Sequence, residues 1–318
     1  MNLKWQPLRI EDAQAWSNLS KAIAAADRHH WTMSPGSARA RLSSPSLDLK
    51  ADTWAVWNGD SLIAYAASSV ADAPRFDGKA QSYLTGGVHP DWRGRGIGTE
   101  LLARVEQRAA SALRAKYPDV PKVLFIESGD DQDPAIGLLT DNGFRPVRQF
   151  HDMERDARVA AQLPDRSHPY EGIVVRPLTP SDEEQTRLAH NDAFRTHFAT
   201  APSSVAEWHE DFNQGQIDFN RSRVAVTEDR RILAYVLVNT TKPERPYIEL
   251  VGSREEARGM GLGRATLTES LRALATDPEA QSIALDVDAE NPSDAVRLYK
   301  DLGFEITRTW SALEKPVN

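Results

Sequence analysis

The chain has 318 residues, 40% of them hydrophobic, a length that suggests two domains, each of about 155 residues and each large enough for its own core. A net charge of −8 argues against a nucleic-acid footprint and favours cationic ligands, and the absence of cysteine excludes disulfides, thiolate nucleophiles and zinc–thiolate sites. No run of about 18 apolar residues could span a membrane and the opening MNLKWQPLRIEDAQ is too polar for a signal peptide, so the chain reads as soluble and cytoplasmic.

In chain order, the first clear signal is VWNGDSLIAYA, Val56 to Ala66, where Asn58-Gly59 between apolar stretches predicts a hairpin. WRGRGIGTE follows from Trp92, three glycines ahead of a run of helix formers, and Gly143 stands where a helix C-cap glycine belongs. The stretch from about Arg155 to Gly172, with Pro164, Asp165, Ser167, His168 and Pro169, reads as a linker. Beyond it, IVVRP (Ile173 to Pro177) predicts a strand, and Thr179 caps a helix with Pro180 in its first turn. A second helix covers Ser203 to about Gln214, then strands take Ser222 to Thr227 and Arg231 to Asn239. A fourth strand, PYIELVG, runs into ARGMGLGRAT, and Leu267, Leu271 and Leu274 place one buried face on the helix that follows. SIALDVD, a helix over SDAVRLYKDL after Pro292, Gly303 as its C-cap glycine and closing strands from Phe304 complete the half.

The two halves repeat. Arg93, Gly96 and Gly98 recur as Arg258, Gly261 and Gly263, each 165 residues on; VTEDRRILAYV repeats the hairpin, and KDLGFEITRTWSALE repeats TDNGFRPVRQFHDME. So long a period marks a duplicated domain. The boundaries expected are 1–157, a linker at 158–172, and 173–318. Glycines at the mouth of a helix let main-chain N–H groups converge where the helix adds partial positive charge, so each stretch is also a candidate phosphate cradle.

Strand, R-x-x-G-x-G, helix, strand and then ENPSDAVRLYKDLGF resembles the GNAT acetyltransferase superfamily over nearly the whole chain, and the tandem layout is similar to that of mycothiol synthase. The resemblance implies a mixed α/β fold of two tandem domains, each with a central, mostly antiparallel sheet flanked by helices. It implies acetyl-coenzyme A as co-substrate, with its pyrophosphate on Arg258, Gly259, Gly261, Gly263 and Arg264. Asn291 would touch the cofactor arm, and the N–H groups around Leu250 and Val251 would polarise the thioester. Glu249 occupies the family's base position and Tyr299 its acid position. The 165-residue offset of the glycines places Leu84, and the 160-residue offset of the Gly-Phe segment places Leu139, at those positions in the first half, which is therefore expected to be non-catalytic. Its loop of Arg93, Gly94, Gly96 and Gly98 is intact, and a second coenzyme site there stays open.

The expected activity is acetyl transfer to the primary amine of a small molecule by direct attack, in a monomer or homodimer with no nucleic-acid or membrane partner. Mycothiol-synthase-type acetylation of a cysteinyl pseudodisaccharide and a coenzyme A sensor without turnover are the alternatives. A dinucleotide enzyme is rejected, because its glycines would follow the first strand of a parallel unit. The eight histidines, among them His29, His30 and His89, show no metal-ligand spacing, so no metal is expected. Trp208, Phe212 and Phe219 read as packing residues.

Overall fold

Gly59 and Asp60 turn the chain between β2 (Thr53–Asn58) and β3 (Ser61–Val70), which pair antiparallel from Asn58–Ser61, so Asn58 ends the strand and Gly59, at φ 58°, opens the turn. The computed structural model describes residues 3–27, 32–45, 47–129, 134–158, 171–213, 216–291 and 294–317. Most of the expected linker lies outside the described residues, as do His29, His30, Gln214 and Pro292. The chain divides into two compact units. Unit 1 takes Met1–Pro74, Gly78–Val147 and Ser311–Asn318; unit 2 takes Arg75–Asp77 and Arg148–Trp310.

Unit 1 adds β1 (Lys4–Gln6), α1 (Ala13–Asp27), α2 (Pro35–Leu42), α3 (Leu49–Asp52), β4 (Ala80–Val88), α4 (Ile97–Lys116), β5 (Lys122–Ser128) and α5 (Pro134–Asp141). In unit 2, β6 (Arg145–Asp156) supplies the residues from Arg148 onward. With them stand β7 (Ile173–Pro177), α6 (Glu183–Ala193), α7 (Val205–Asn213), β8 (Arg223–Thr227), β9 (Ile232–Asn239), β10 (Tyr247–Ser253), α8 (Leu262–Ala275), β11 (Ser282–Asp288) and α9 (Ala295–Asp301). The last strand, β12 (Glu305–Val317), gives its end from Ser311 to unit 1.

Strand order is β1-β2-β3-β4-β5-β12 in unit 1 and β6-β11-β10-β9-β8-β7 in unit 2. One neighbouring pair in each sheet is parallel, β4 with β5 and β10 with β11; the other pairs are antiparallel. The units and the repeat are different partitions of the chain. Each unit closes on a strand from the other half of the repeat: Arg148–Asp156 lies along β11, and Ser311–Val317 along β5. A parallel pair leaves the outer side of β5 or β11 with unpaired N–H and C=O groups, and an antiparallel closing strand satisfies them.

The cores follow the apolar spacing. Leu267, Leu271 and Leu274 on α8 are fully buried against Val236, Ile248, Ile283 and Leu285, each contributing about 1.5–3 kcal/mol relative to exposure. On the other face of the unit 2 sheet, Trp208, Phe212 and Phe219 pack with Val224, Tyr235 and Leu237, as packing residues.

Candidate functional site

The glycine-rich stretch of unit 2 joins β10 to α8. Gly259 and Gly261 both have φ 79°, and an added Cβ at either would meet nothing within 4 Å, so these glycines serve backbone conformation and open space. Gly261 is the left-handed N-cap of α8 and provides no side-chain cap. The N–H groups of Gly261, Leu262, Gly263 and Arg264 therefore have no acceptor among the described residues. Gly263 is glycine for packing, since a Cβ there would lie 2.9 Å from Ser253 Oγ.

The arginines act locally. Arg258 donates to the Ala193 carbonyl at 2.9 Å, tying the loop to the end of α6, and its own N–H is bonded to Glu255 O at 3.2 Å. Arg264 forms an ion pair with Asp301 at 2.7 Å, linking α8 to α9. Open N–H groups, positive φ and unfilled space fit a diphosphate, and Arg258 adds to that fit by holding the loop.

β10 is irregular at Glu249. Ile248 pairs with Val238 of β9 but Leu250 pairs with Leu237, so Glu249 is one extra residue. The bulge turns neighbours to opposite faces: Ile248 and Val251 pack with α8 and α9, while Leu250 packs with Trp208 and Phe212. The parallel ladder to β11 ends at Ile248–Leu285, although β10 runs on to Ser253 and β11 to Asp288. The strands thus part at Glu249 and leave a wedge whose β10 side carries Leu250 and Val251.

Glu249 Oε1 accepts a bond from Asn239 Nδ2 at 2.8 Å, and Asn239 is oriented by donors from Thr241 to its Oδ1. The Glu249 side chain reaches solvent, yet the protein around it removes enough water to raise its carboxyl pKa. The bond from Asn239 opposes the rise, and the charges of Asp286 and Asp211 reinforce it. Tyr299 on α9 is 6% exposed; burial and then the charge of Asp286 raise its phenol pKa, so it stays protonated at neutral pH. Its hydroxyl has no hydrogen-bond partner among the described residues, and its ring meets Phe304 edge-on at 6.0 Å. Asn291 lies in the turn between β11 and α9, its N–H bonded to Asp288 O at 3.1 Å.

Sequence reasoning missed the rest of this face. Tyr247 donates its hydroxyl hydrogen to Asp286 Oδ1. The Asp286 side chain reaches solvent, yet desolvation by the protein around it and then the charge of Asp152 raise its carboxyl pKa, with Tyr247 and His197 acting the other way. His197 is held below its usual range by burial. The signal was present in SIALDVD: Asp286 is a charged residue between Leu285 and Val287, both buried. Only the sheet shows what it faces.

Unit 1 builds a similar cradle on a different strand. Gly94 and Gly96 have φ of 70° and 80°, and α4 starts after Gly96. Arg93 is held by Asp27, with two contacts of 2.7 Å, and donates to Val88 O at 3.2 Å. Its strand, however, is regular: β4 pairs with β3 from Ala64–Val88 to Val70–Ser82 without a shift. Matching glycines that face matching tyrosines, Gly87 with Tyr65 and Gly252 with Tyr235, puts Leu84 opposite Ser68 where Ile248 lies opposite Val238. The constant offset that set Leu84 against Glu249 is therefore corrected. Leu84 corresponds to Ile248, both buried, and Glu249 has no counterpart. Leu139 does stand where Tyr299 does, buried in the core. Gly143 and Gly303, at φ 86° and 85°, end the two helices alike, with Phe144 and Phe304 N–H groups bonding back to Leu139 and Tyr299.

Among the described residues no helix is long and apolar enough to cross a membrane, and no group of three His, Asp or Glu could hold a metal ion. The sequence matches the model of the acetyltransferase (GNAT) family over residues 16–144 and again over 186–304. The mycothiol acetyltransferase of Frankia alni is 29% identical over 331 residues, covering 96% of this chain and 92% of that protein. That of Kineococcus radiotolerans is 31% identical over 227 residues, 70% of this chain and 68% of that protein. Among solved structures, a GCN5-related N-acetyltransferase from Sphaerobacter thermophilus superposes with a TM-score of 0.75 at 25% identity, covering 99% of this chain and 96% of that one. A tandem GNAT protein from the clavulanic acid biosynthesis pathway gives 0.73 at 21% identity, over 100% and 99%.

Proposed function

This chain belongs to the acetyltransferase (GNAT) family as a tandem N-acetyltransferase, and from that premise we propose that its second half moves an acetyl group from acetyl-coenzyme A to the primary amine of a small molecule. The observation that carries the assignment to the second half is the one-residue bulge at Glu249, absent from β4. Acetyl-coenzyme A supplies an activated thioester. The N–H groups of Gly261 to Arg264 hold its diphosphate, Arg258 and Gly259 shape that loop, and Asn291 meets the cofactor arm. In the wedge, N–H groups around Leu250 and Val251 polarise the thioester carbonyl.

Glu249 takes the proton of the attacking amine, directly or through water, and its raised pKa makes it a better acceptor. Tyr299, kept protonated by burial, donates to the departing thiolate. The first half, with Leu139 for tyrosine and no glutamate insertion, is non-catalytic; its cradle of Arg93, Gly94, Gly96 and Gly98 is a scaffold or a second coenzyme site. The mycothiol acetyltransferase relatives favour a cysteinyl amine as a second reading of the acceptor.

The test is thiol release from acetyl-coenzyme A across a panel of primary amines, with the intact protein weighed in parallel. Direct attack requires release only with an amine present and no acetylated protein. A covalent acetyl-protein that turns over when amine is added would overturn it.

A further inference from the structure

β10 leads into its cradle through Arg254, an arginine that serves neither the wedge nor the glycine loop. Only 9% of it is exposed. Its Nε donates to the Ile232 carbonyl at 2.7 Å, while its two terminal nitrogens have no hydrogen-bond or ion-pair partner among the described residues. A buried guanidinium is ordinarily paired, because taking its charge out of water is costly. The fold does not require an arginine at this place. The Arg254 N–H bonds to Leu233 O at 2.8 Å, as the His89 N–H of unit 1 bonds to Ile63 O at 2.8 Å, so the two residues occupy one position ahead of their cradles. His89 caps its own loop by accepting from the Asp91 N–H at 3.3 Å, and Arg254 provides no such cap.

What Arg254 lines is a cavity of about 860 Å³, within unit 2 and beside α6. That volume lies in the range of small-molecule sites and is far larger than an inorganic ion needs. Phe76 and Leu188 line it at 36% and 38% exposure, two large apolar side chains left open to solvent. Arg195 lines it as well, exposed and without an ion pair among the described residues. Two of the wall's carboxylates are engaged: Glu256 pairs with Arg231 at 2.8 Å, and Asp192 accepts from the Glu255 N–H at 3.2 Å. The Glu255 side chain is exposed. Burial and then the charge of Arg231 hold the Arg254 pKa below its ordinary value, with Asp192 and Glu256 acting the other way. Counting from the capping aspartates Asp12 and Asp182 sets Ala22 and Ala25 of unit 1 against Asp192 and Arg195, so unit 1 has no matching charged wall.

We propose that this cavity binds a small organic oxyanion, its head on Arg254 and Arg195 and its apolar body against Phe76 and Leu188. The anion completes the pairing that Arg254 lacks, and the body covers the two exposed side chains. The proposal stands apart from the acetyl-transfer reading, since neither Glu249 nor Tyr299 takes part in it.

Fluorine NMR titration of 4-fluorophenylacetate and of its amide, 4-fluorophenylacetamide, into the full chain isolates the charge, because the two probes have the same shape. The acid should bind about tenfold tighter or more, as expected of hydrogen bonds to a charged partner. Arg254→Gln should bring the two probes within about threefold of one another. Leu188→Glu, at an exposed wall position, gives an independent reading should that variant fold poorly: it should weaken the acid by about tenfold and the amide by no more than about threefold. Equal affinity for acid and amide in the wild type, binding of neither, or an unchanged preference in both folded variants would overturn the proposal. A repeat with saturating coenzyme A separates the sources of the anion. Undiminished binding of the acid gives the cavity an anion of its own, whereas displacement by coenzyme A would assign Arg254 to a phosphate of the cofactor and overturn the proposal.

Discussion

β4 and β10 occupy the same place in their two units, each between an antiparallel hairpin partner and a parallel strand, each leading into a glycine cradle. They differ by one residue. β4 holds its register with β3 throughout and buries Leu84 in the core. β10 carries Glu249 as an extra residue, which turns Glu249 and Leu250 toward the α6–α7 side while Ile248 and Val251 stay in the α8–α9 core. A sheet can thus gain a carboxylate and a break in its ladder without repacking its core, because the residues on either side of the bulge keep their faces. Leu139 and Tyr299 show the same economy: both are buried between similar helix ends, and one carries a hydroxyl.

The strongest way to break this comparison is to spoil both cradles. Gly261→Glu places a negative, bulky side chain at φ 79° among the open N–H groups, and should abolish coenzyme A binding by calorimetry and turnover with it. Gly96→Glu, at φ 80°, should leave turnover nearly intact. Equal loss from both folded variants would mean that catalysis is not confined to the second half. Deleting Glu249 gives β10 the register that β4 already tolerates. The protein should stay folded by circular dichroism and lose about 1000-fold or more in kcat, since base and wedge go together; near-native turnover would show that the bulge is incidental.

Tyr299→Phe removes only the hydroxyl that Leu139 lacks. It should reduce kcat by about 10- to 1000-fold, the range of general-acid effects, with coenzyme A affinity unchanged. Glu249→Gln removes the base and keeps the shape. The Glu249 carboxyl pKa is raised, so wild-type rate should climb with pH as that group ionises, while the variant lacks this limb. The factor lost should therefore grow with pH across that limb and shrink again above it, where more amine arrives neutral; a constant factor at every pH would assign Glu249 to positioning.

The smallest effects concern stability. A Cβ at Gly252 would lie 2.4 Å from the fully buried Tyr235 ring, whereas at Gly87 the close atom is the end of the Ile23 side chain, at 2.6 Å. Gly252→Ala should cost about 1–3 kcal/mol by denaturant unfolding, the usual overpacking range, and Gly87→Ala clearly less. The reverse order would show that the Tyr235 ring moves aside freely.

Much of the fold was legible in order of residues. The hairpin that turns at Gly59, the strand Ile173–Pro177, the cap at Thr179 and the glycines after α5 and α9 are local: each depends on backbone dihedrals or on hydrogen bonds a few residues apart. The positive-φ glycines at the mouths of α4 and α8 were legible for the same reason, and the arginines beside them hold the loops. Tyr299 stood out because its motif is contiguous. Asp286 and Asp152 did not, since their opposition joins residues 134 positions apart through a ladder that neither segment specifies.

By itself, then, the sequence determined the duplicated domain, the order of elements in each half, the glycine-rich helix mouths and the residue types at the wedge. These follow from hydrophobic periodicity and from glycine's access to positive φ. Tertiary structure alone decided two things. One is register: a constant offset matched Glu249 to Leu84, and only pairing against β9 and β3 reveals that Glu249 is an insertion. The other is which closing strand completes each sheet. The two closing segments are repeats of one another and either can satisfy the open side of a parallel pair. The exchange of Arg148–Asp156 and Ser311–Val317 between units is therefore set by where the chain travels, a non-local property that no window of residues carries.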